Sequence, residues 1–433
     1  MKKRKNPGPL FFKPARASAR KTPQADVTAT IERLSAEGRG MAFRDGKPLF
    51  VPRTLPGETV TARITLEKRE YAEAELGAVS NPSAERIAPR CDLFGRCGGC
   101  DLQMLDYQAQ LRHKSATLAH LLRAHVDTLD TAIVAAPWHY RHRARFAVGE
   151  EDGRPVIGFK AGNSHRVIAV RTCVILDERL QPLLDALPQA LAQLEQWQRI
   201  EEIRVAVDSD GGIGLQWRTR RSLPVRDAQA LAAFCAAHGV VSGADTELVY
   251  RVPDQGTAFR FTPADFTQVN PAVNARLVAR ALDWLQPRPQ DVVADYFCGL
   301  GNFSLPLAQC AGRVTGYELD AAMVARASAN ATGLVNLEFR VADLYAVDAA
   351  TADEYDIALL DPPRAGARAL CERLAAARTL RRIVYVSCNP QTLVRDIDIL
   401  VRGGFRVARA ALVDMFPQTG HIETIAELER ASL

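Results

Sequence analysis

Several things are missing from this chain of 433 residues. No apolar run reaches the roughly 18 uninterrupted residues of a membrane helix. The first residues lack the apolar core of a secretory signal. Both absences predict a cytoplasmic protein. No segment repeats, which excludes solenoid and propeller architectures. The nine cysteines are odd in number, and without a signal they argue against a disulfide framework. No flavin or nicotinamide fingerprint is present, so redox catalysis has no support beyond the cysteines. Acid is absent from residues 1–22, which carry Lys2, Lys3, Arg4, Lys5, Lys13, Arg16, Arg20 and Lys21.

That last absence locates the charge. The net charge is +5, yet taking those eight cations from the 55 Lys and Arg leaves 47 against 50 acidic residues. Residues 1–24 therefore read as a disordered basic arm able to touch phosphates. The whole chain is 47% hydrophobic, ordinary for a globular protein of two to four domains.

Residues 25–82 alternate apolar and polar positions (VTATIERL, MAFRDGKPLFVP, ETVTARITLEK, YAEAELGAVS) between Gly and Pro turns. This predicts a small five-strand barrel of the kind that binds RNA, with Lys47, Arg53, Lys68 and Arg69 as weak support. Residues 83–264 form a mixed α+β region, with a helix over YQAQLRHKSATLAHLLRAH. From 265 to 433 strand and helix patterns alternate, which implies βαβ units and a parallel sheet. The chain ends in two further strand candidates.

Three cysteines crowd into CDLFGRCGGC: Cys91, Cys97 and Cys100. Intervening glycines let such a loop wrap closely around a ligand. Cys173 is the candidate to complete four thiolates. Zinc and a [4Fe–4S] cluster both accept that set, and spacing alone leaves both open.

DVVADYFCGLGNF, residues 291–303, ends an apolar strand in a turn with Gly299 and Gly301. There is no third glycine at dinucleotide spacing. This disfavours NAD and suits S-adenosylmethionine, which has no pyrophosphate to cradle. Glu318 ends the next strand, where an acid accepts hydrogen bonds from ribose hydroxyls. Asp343 ends the third strand, placed to meet an adenine amine; helix capping is the plainer role for both acids. Asp361 ends the fourth in LLDPPRAG, before two prolines that stiffen the exit.

A thiol, Cys388, ends the following strand in VYVSCNP. Buried cysteines are commonly core filler. Here, opposite a methyl donor, a thiolate can add to C6 of uracil and make C5 nucleophilic, after which a base must take the C5 proton. Glu423, in QTGHIETIAE, is the candidate base, and His421 competes with it.

These stretches together resemble the RNA uracil-C5 methyltransferases. FTQVN (266–270), DYFCGLGNF (295–303), DPPR (361–364), SCNP (387–390) and HIET (421–424) carry the resemblance. It implies a class I, Rossmann-like S-adenosylmethionine-dependent methyltransferase domain. It also implies an N-terminal TRAM-like β-barrel and a central α+β domain that binds RNA and an Fe–S cluster. By the resemblance Cys388 is the nucleophile and Glu423 the base. Gln268, Phe297, Asn302, Glu318, Asp343 and Asp361 line the cofactor site, and Cys91, Cys97, Cys100 and Cys173 hold a [4Fe–4S] cluster. The family usually has Leu where this chain has Tyr296. A related tRNA enzyme is similar in its catalytic half but lacks barrel and cluster, so having both favours 23S ribosomal RNA as substrate, met as a flipped-out uridine by a monomer. WHYRHRARF (138–146) offers aromatics among cations for single-stranded RNA. Three rivals remain: a tRNA uracil methyltransferase, an adenine-N6 methyltransferase suggested by Asp-Pro-Pro alone, and a non-catalytic RNA-binding Fe–S protein.

Overall fold

The computed structural model describes residues 26–431 except 163, 244–245, 253–254 and 347–353. The basic arm lies outside the described residues. The chain divides after Arg86 into two compact units.

The N-terminal unit is a six-stranded sheet, in the order Asp26–Thr30, Thr59–Glu67, Ala72–Asn81, Lys47–Val51, Gly40–Arg44, Arg33–Leu34. The sixth strand, against the five expected, is the two-residue edge Arg33–Leu34. The alternation works as the pattern requires: Val60, Ala62 and Ile64 turn inward with Leu49 and Val51, while Thr61, Arg63 and Thr65 face water. Lys47 is tied to Glu67 at 3.0 Å.

The second unit runs from Ile87 onward, so the boundary expected at 264/265 falls inside one compact body. One physical reason is a strand swap of location. Asp130–Ile133 (β1), from the central region, joins the edge of the catalytic sheet beside Phe405–Val413. The other strands of that sheet are Val292–Tyr296 (β2), Arg313–Glu318 (β3), Leu337–Val341 (β4), Ile357–Leu360 (β5), Arg382–Ser387 (β6), Phe405–Val413 (β7) and Glu423–Arg430 (β8). Their order is β4-β3-β2-β5-β6-β8-β7-β1. The first five are mutually parallel, and β8 runs antiparallel to both β6 and β7. The direction of winding reverses between β2 and β5, which opens a crevice at their carboxyl ends. A separate six-stranded sheet, centred on the Arg143–Glu151 and Ile200–Val207 pair, makes up the central region.

Both faces of the catalytic sheet are covered, so its strands are apolar throughout. Val293, Leu359, Val384, Val386 and Ile425 pack on one side. Ala294, Tyr296, Leu360, Tyr385 and Ala426 pack on the other. The helix after β2 is short, Ser304–Ala308.

Candidate active site

The turn after β2 begins the site. Phe297 adopts the left-handed region at φ 64°, unusual for a residue with a Cβ. Gly301 follows at φ 93°, and a Cβ there would meet the Phe339 ring at 3.0 Å. The turn is fastened to β3: Cys298 N–H donates to Tyr317 O at 3.0 Å, and Gly299 N–H reaches Glu318 Oε2 at 3.3 Å. Glu318 Oε1 also accepts from the Leu319 and Asp320 amides. The neighbouring helix Ala321–Asn330 is capped by Asp320, not by Glu318. Asp343 accepts the Tyr345 amide at 3.0 Å, and the Tyr345 ring lies 5.9 Å from Phe297. Tyr296 sits behind this turn, stacked on Tyr317 at 5.4 Å and away from the crevice.

Asn302 is oriented by a residue that the sequence does not flag. Asn274 is fully buried on helix Pro271–Leu285 and exchanges two amide hydrogen bonds with Asn302, at 2.8 and 3.0 Å. Asn274 also donates to the Tyr250 hydroxyl.

On the other side of the crevice, the register of β6 and β8 pairs Ser387 with Thr424. Antiparallel continuation then sets Cys388 opposite Glu423. Asn389 finds its role here. Its Oδ1 caps the helix Pro390–Arg402 by accepting the Gln391 amide at 3.2 Å, and its Nδ2 donates to Arg364 O at 3.0 Å. The Cys388 turn and the Asp-Pro-Pro-Arg turn are therefore joined.

Cys388, Glu423, Gln268, Phe297, Asn302, Glu318, Asp343 and Asp361 all border one cavity of about 610 Å³. Pro362, Arg364, Phe266, Met323, Phe416 and His421 border it too. Burial pushes the Asp361 carboxyl up to about 7. Burial, then the charge of Asp361, pushes Glu423 up to about 8. Burial raises the Cys388 thiol, Glu423 and Asp361 raise it further, and Arg364 opposes them. The competing base is engaged elsewhere. Arg364 Nη2 lies 2.9 Å from His421 Nδ1, and a guanidinium only donates, so that nitrogen has no lone pair free.

A second cavity of about 490 Å³ is bordered by Cys91, Cys97, Cys100 and Cys173, with Arg141, Arg145 and Lys160. A Cβ at Gly98 would meet Lys160 O at 3.0 Å, so the loop does approach closely. Burial raises the Cys100 thiol to about 12, with Cys173, Cys97 and Cys91 adding to it. Phe416 and His421 border both cavities. Their loop is held by a buried network: Lys114 Nζ reaches Asp414 at 2.7 Å and Phe416 O at 3.1 Å, and Gln418 O accepts the Asp101 and Leu102 amides.

The WHYRHRARF stretch is less open than its composition suggests. Tyr140, Arg143 and Phe146 are buried, and the Tyr140 hydroxyl donates to Pro417 O. Trp138 is half-buried under Arg90. Phe266, at 59% exposure, and Tyr345 are instead exposed aromatic rings at the cavity's edge.

The family model for tRNA (Uracil-5-)-methyltransferase matches residues 244–431, and that for the TRAM domain matches residues 20–76. The chain is 39% identical to the 23S rRNA (uracil(1939)-C(5))-methyltransferase RlmD of Hahella chejuensis, over 95% of this chain and 99% of that one. The chain belongs to the RlmD family of uracil-C5 methyltransferases. The RlmD of Aromatoleum aromaticum is likewise 39% identical, over 93% of this chain and 99% of its own. A solved structure, the Pyrococcus abyssi tRNA (uracil-54, C5)-methyltransferase with S-adenosyl-L-homocysteine, shares the fold. Its TM-score is 0.74 at 20% identity, covering 93% of this chain and all of that one. Such coverage cannot be confined to the catalytic half. An N-terminal barrel therefore does not by itself separate RlmD-type enzymes from tRNA enzymes, and identity over the full length is what ties this chain to RlmD.

Proposed function

We propose that this protein methylates carbon 5 of one uridine in 23S ribosomal RNA, the uridine that its relatives' names number 1939. The observation that carries this reading is the β6–β8 register. It runs Cys388 and Glu423 out at the same edge of the sheet, on a cavity that Gln268, Phe297, Asn302, Glu318, Asp343 and Asp361 also border.

S-adenosylmethionine, when bound, supplies a methyl group on a sulfonium. The donor set fits it: Glu318 has carboxylate oxygens for ribose hydroxyls, Asp343 suits an adenine amine, and Phe297 and Tyr345 offer ring surface. Gln268, Asn302 and Asp361 complete the rim. Cys388, as thiolate, adds to C6 of a uracil drawn out of its stack. Partial burial makes the Cys388 thiol resist ionisation, and Arg364 is the cation that offsets this. After C5 has taken the methyl group, Glu423 removes the C5 proton and the Cys388–C6 bond breaks.

The four cysteines of the second cavity fit a [4Fe–4S] cluster. Burial holds Cys97 and Cys100 as thiols, with the neighbouring cysteines adding to it, so ionising the set as ligands would need a cationic group among them. Among the described residues no three His, Cys, Asp or Glu side chains meet closely enough to hold one metal ion. A four-iron cluster spaces its thiolates more widely than one ion does. We assign Cys91, Cys97, Cys100 and Cys173 as its ligands; the group would pin the 91–100 loop to Cys173 beside the active-site wall. Among the described residues no helix is long and apolar enough to cross a membrane. A ribosomal RNA substrate would be met in the cytoplasm.

Transfer RNA is the second reading, favoured by the fold shared with the Pyrococcus enzyme. Incubating unmodified 23S and transfer RNA with labelled S-adenosylmethionine, then mapping the label, separates the two. Label at a 23S uridine C5 is expected; label confined to transfer RNA overturns the substrate. Cys388→Ala is expected to lose methyl transfer and to form no covalent complex with 5-fluorouridine RNA. Full activity in that variant overturns the mechanism.

A further inference from the structure

Addition of a thiolate at C6 drives the C5=C6 electron pair toward the C4 carbonyl. Charge then develops on O4, and a site for this reaction needs hydrogen-bond donors there as well as a nucleophile and a base. Glu423, to act as the base, must be ionised and then only accepts, so it is not the donor at O4, and other groups on the rim are needed there.

The Arg364–His421 pair borders the same cavity. Arg364 Nη2 meets His421 Nδ1 at 2.9 Å. Because the guanidinium donates, Nδ1 accepts, and the neutral ring carries its proton on Nε2. Burial, Arg364, Lys114 and Arg141 all disfavour a charged ring, in that order. The Phe416 ring packs at 5.5 Å from His421. No other hydrogen bond to the ring is found among the described residues. Arg364 is thus paired with a neutral imidazole instead of a carboxylate, and its main chain is anchored through Asn389 to the turn of Cys388. The result is a donor-only edge: Nε2–H of His421 and the remaining N–H groups of Arg364.

We propose that the Arg364–His421 pair binds the O4 carbonyl of the target uracil and stabilises the enolate formed when Cys388 adds. The same edge rejects cytosine, whose C4 amino group is itself a donor. This rests on the uracil-C5 reading above. In balance, the sulfur–C6 bond forms as the C5=C6 pair moves to O4. That pair returns through C5 to take the methyl group, and S-adenosylhomocysteine leaves with the old carbon–sulfur pair. Glu423 then takes the C5 proton, the C5–H pair re-forms C5=C6, and the Cys388 thiolate departs.

The test is single-turnover methyl transfer to 23S RNA with uridine or 4-thiouridine at the target position. Sulfur is the weaker acceptor, so the rate ratio between the two substrates reports contact at position 4. His421→Leu is expected to slow transfer to uridine about a hundredfold and to lower the ratio by about tenfold. His421→Gln, which retains an N–H donor, recovers part of both. Arg364→Met, which has no donor, lowers the same ratio and serves if His421→Leu does not fold, with S-adenosylmethionine binding by calorimetry as the check on folding. An unchanged ratio in a variant that binds S-adenosylmethionine overturns the proposal. A wild-type protein that labels no 23S uridine overturns the uracil-C5 reading instead, so the two failures are distinguishable.

Discussion

Glu423→Gln separates the two effects that burial has on the proposed base. The carboxyl is 3% exposed and held at about 8, against an ordinary 4.5, by burial first and by Asp361 second. Below pH 4.5 the proton is bound in both folded and unfolded chains. Between 4.5 and 8 the folded protein keeps it while the unfolded chain releases it, so stability falls as pH rises through that window. Above pH 8 the loss reaches at most about 5 kcal/mol. Glutamine has no such proton. The variant is expected to match wild type near pH 4 and to become several kcal/mol more stable than wild type by pH 8.5, read from urea unfolding at each pH. The same change removes the base, so turnover falls by about 10² to 10⁴. With Cys388 intact the methylated adduct has no route to elimination. A protein–RNA complex then survives a denaturing gel, needs S-adenosylmethionine, and vanishes when Cys388 is also replaced by Ala. Turnover within tenfold of wild type refutes the assignment of the base. A stability difference that does not grow with pH refutes the argument from burial.

Asp361→Asn removes the charge that raises Glu423, so the rising limb of kcat/KM moves to lower pH even as S-adenosylmethionine affinity drops; a pH–rate profile checks this. Lys114→Met leaves Asp414 charged and buried with, among the described residues, the Tyr107 hydroxyl as its remaining side-chain partner, costing about 3–5 kcal/mol in urea unfolding. The same variant frees the Phe416 carbonyl, so proteolysis within 414–421 is expected to quicken. Cys173→Ser is expected to lose iron and acid-labile sulfide on metal analysis while still binding S-adenosylmethionine, because the two cavities share only the Phe416–His421 wall.

Much of the catalytic half could be read from the chain because strand ends are local. An apolar run followed by Gly, Asp or Asn-Pro marks where a parallel strand meets its ligand edge. Glu318, Asp343, Asp361 and Cys388 were all visible in this way. Asn274 was not, since it reads as an ordinary polar residue on a helix and only the fold turns it toward Asn302. Nor was β1, four residues whose apolar content is too slight to announce a strand until β7 offers its edge. WHYRHRARF misled for the converse reason: composition cannot say which rings face inward.

By itself, then, the sequence determined the chemical inventory: a thiol, carboxylates at strand ends, and three thiols within ten residues with a fourth far along the chain. It determined the alternating β-module and the βαβ order as well, because periodicity and turn chemistry act over a few residues. Only the tertiary structure decided the pairings. Ser387 against Thr424 sets Cys388 opposite Glu423, Arg364 closes off Nδ1 of His421, and Cys173 comes to the cavity of Cys91, Cys97 and Cys100 from more than seventy residues away. Those contacts depend on sheet register and on long-range packing, which no local pattern encodes.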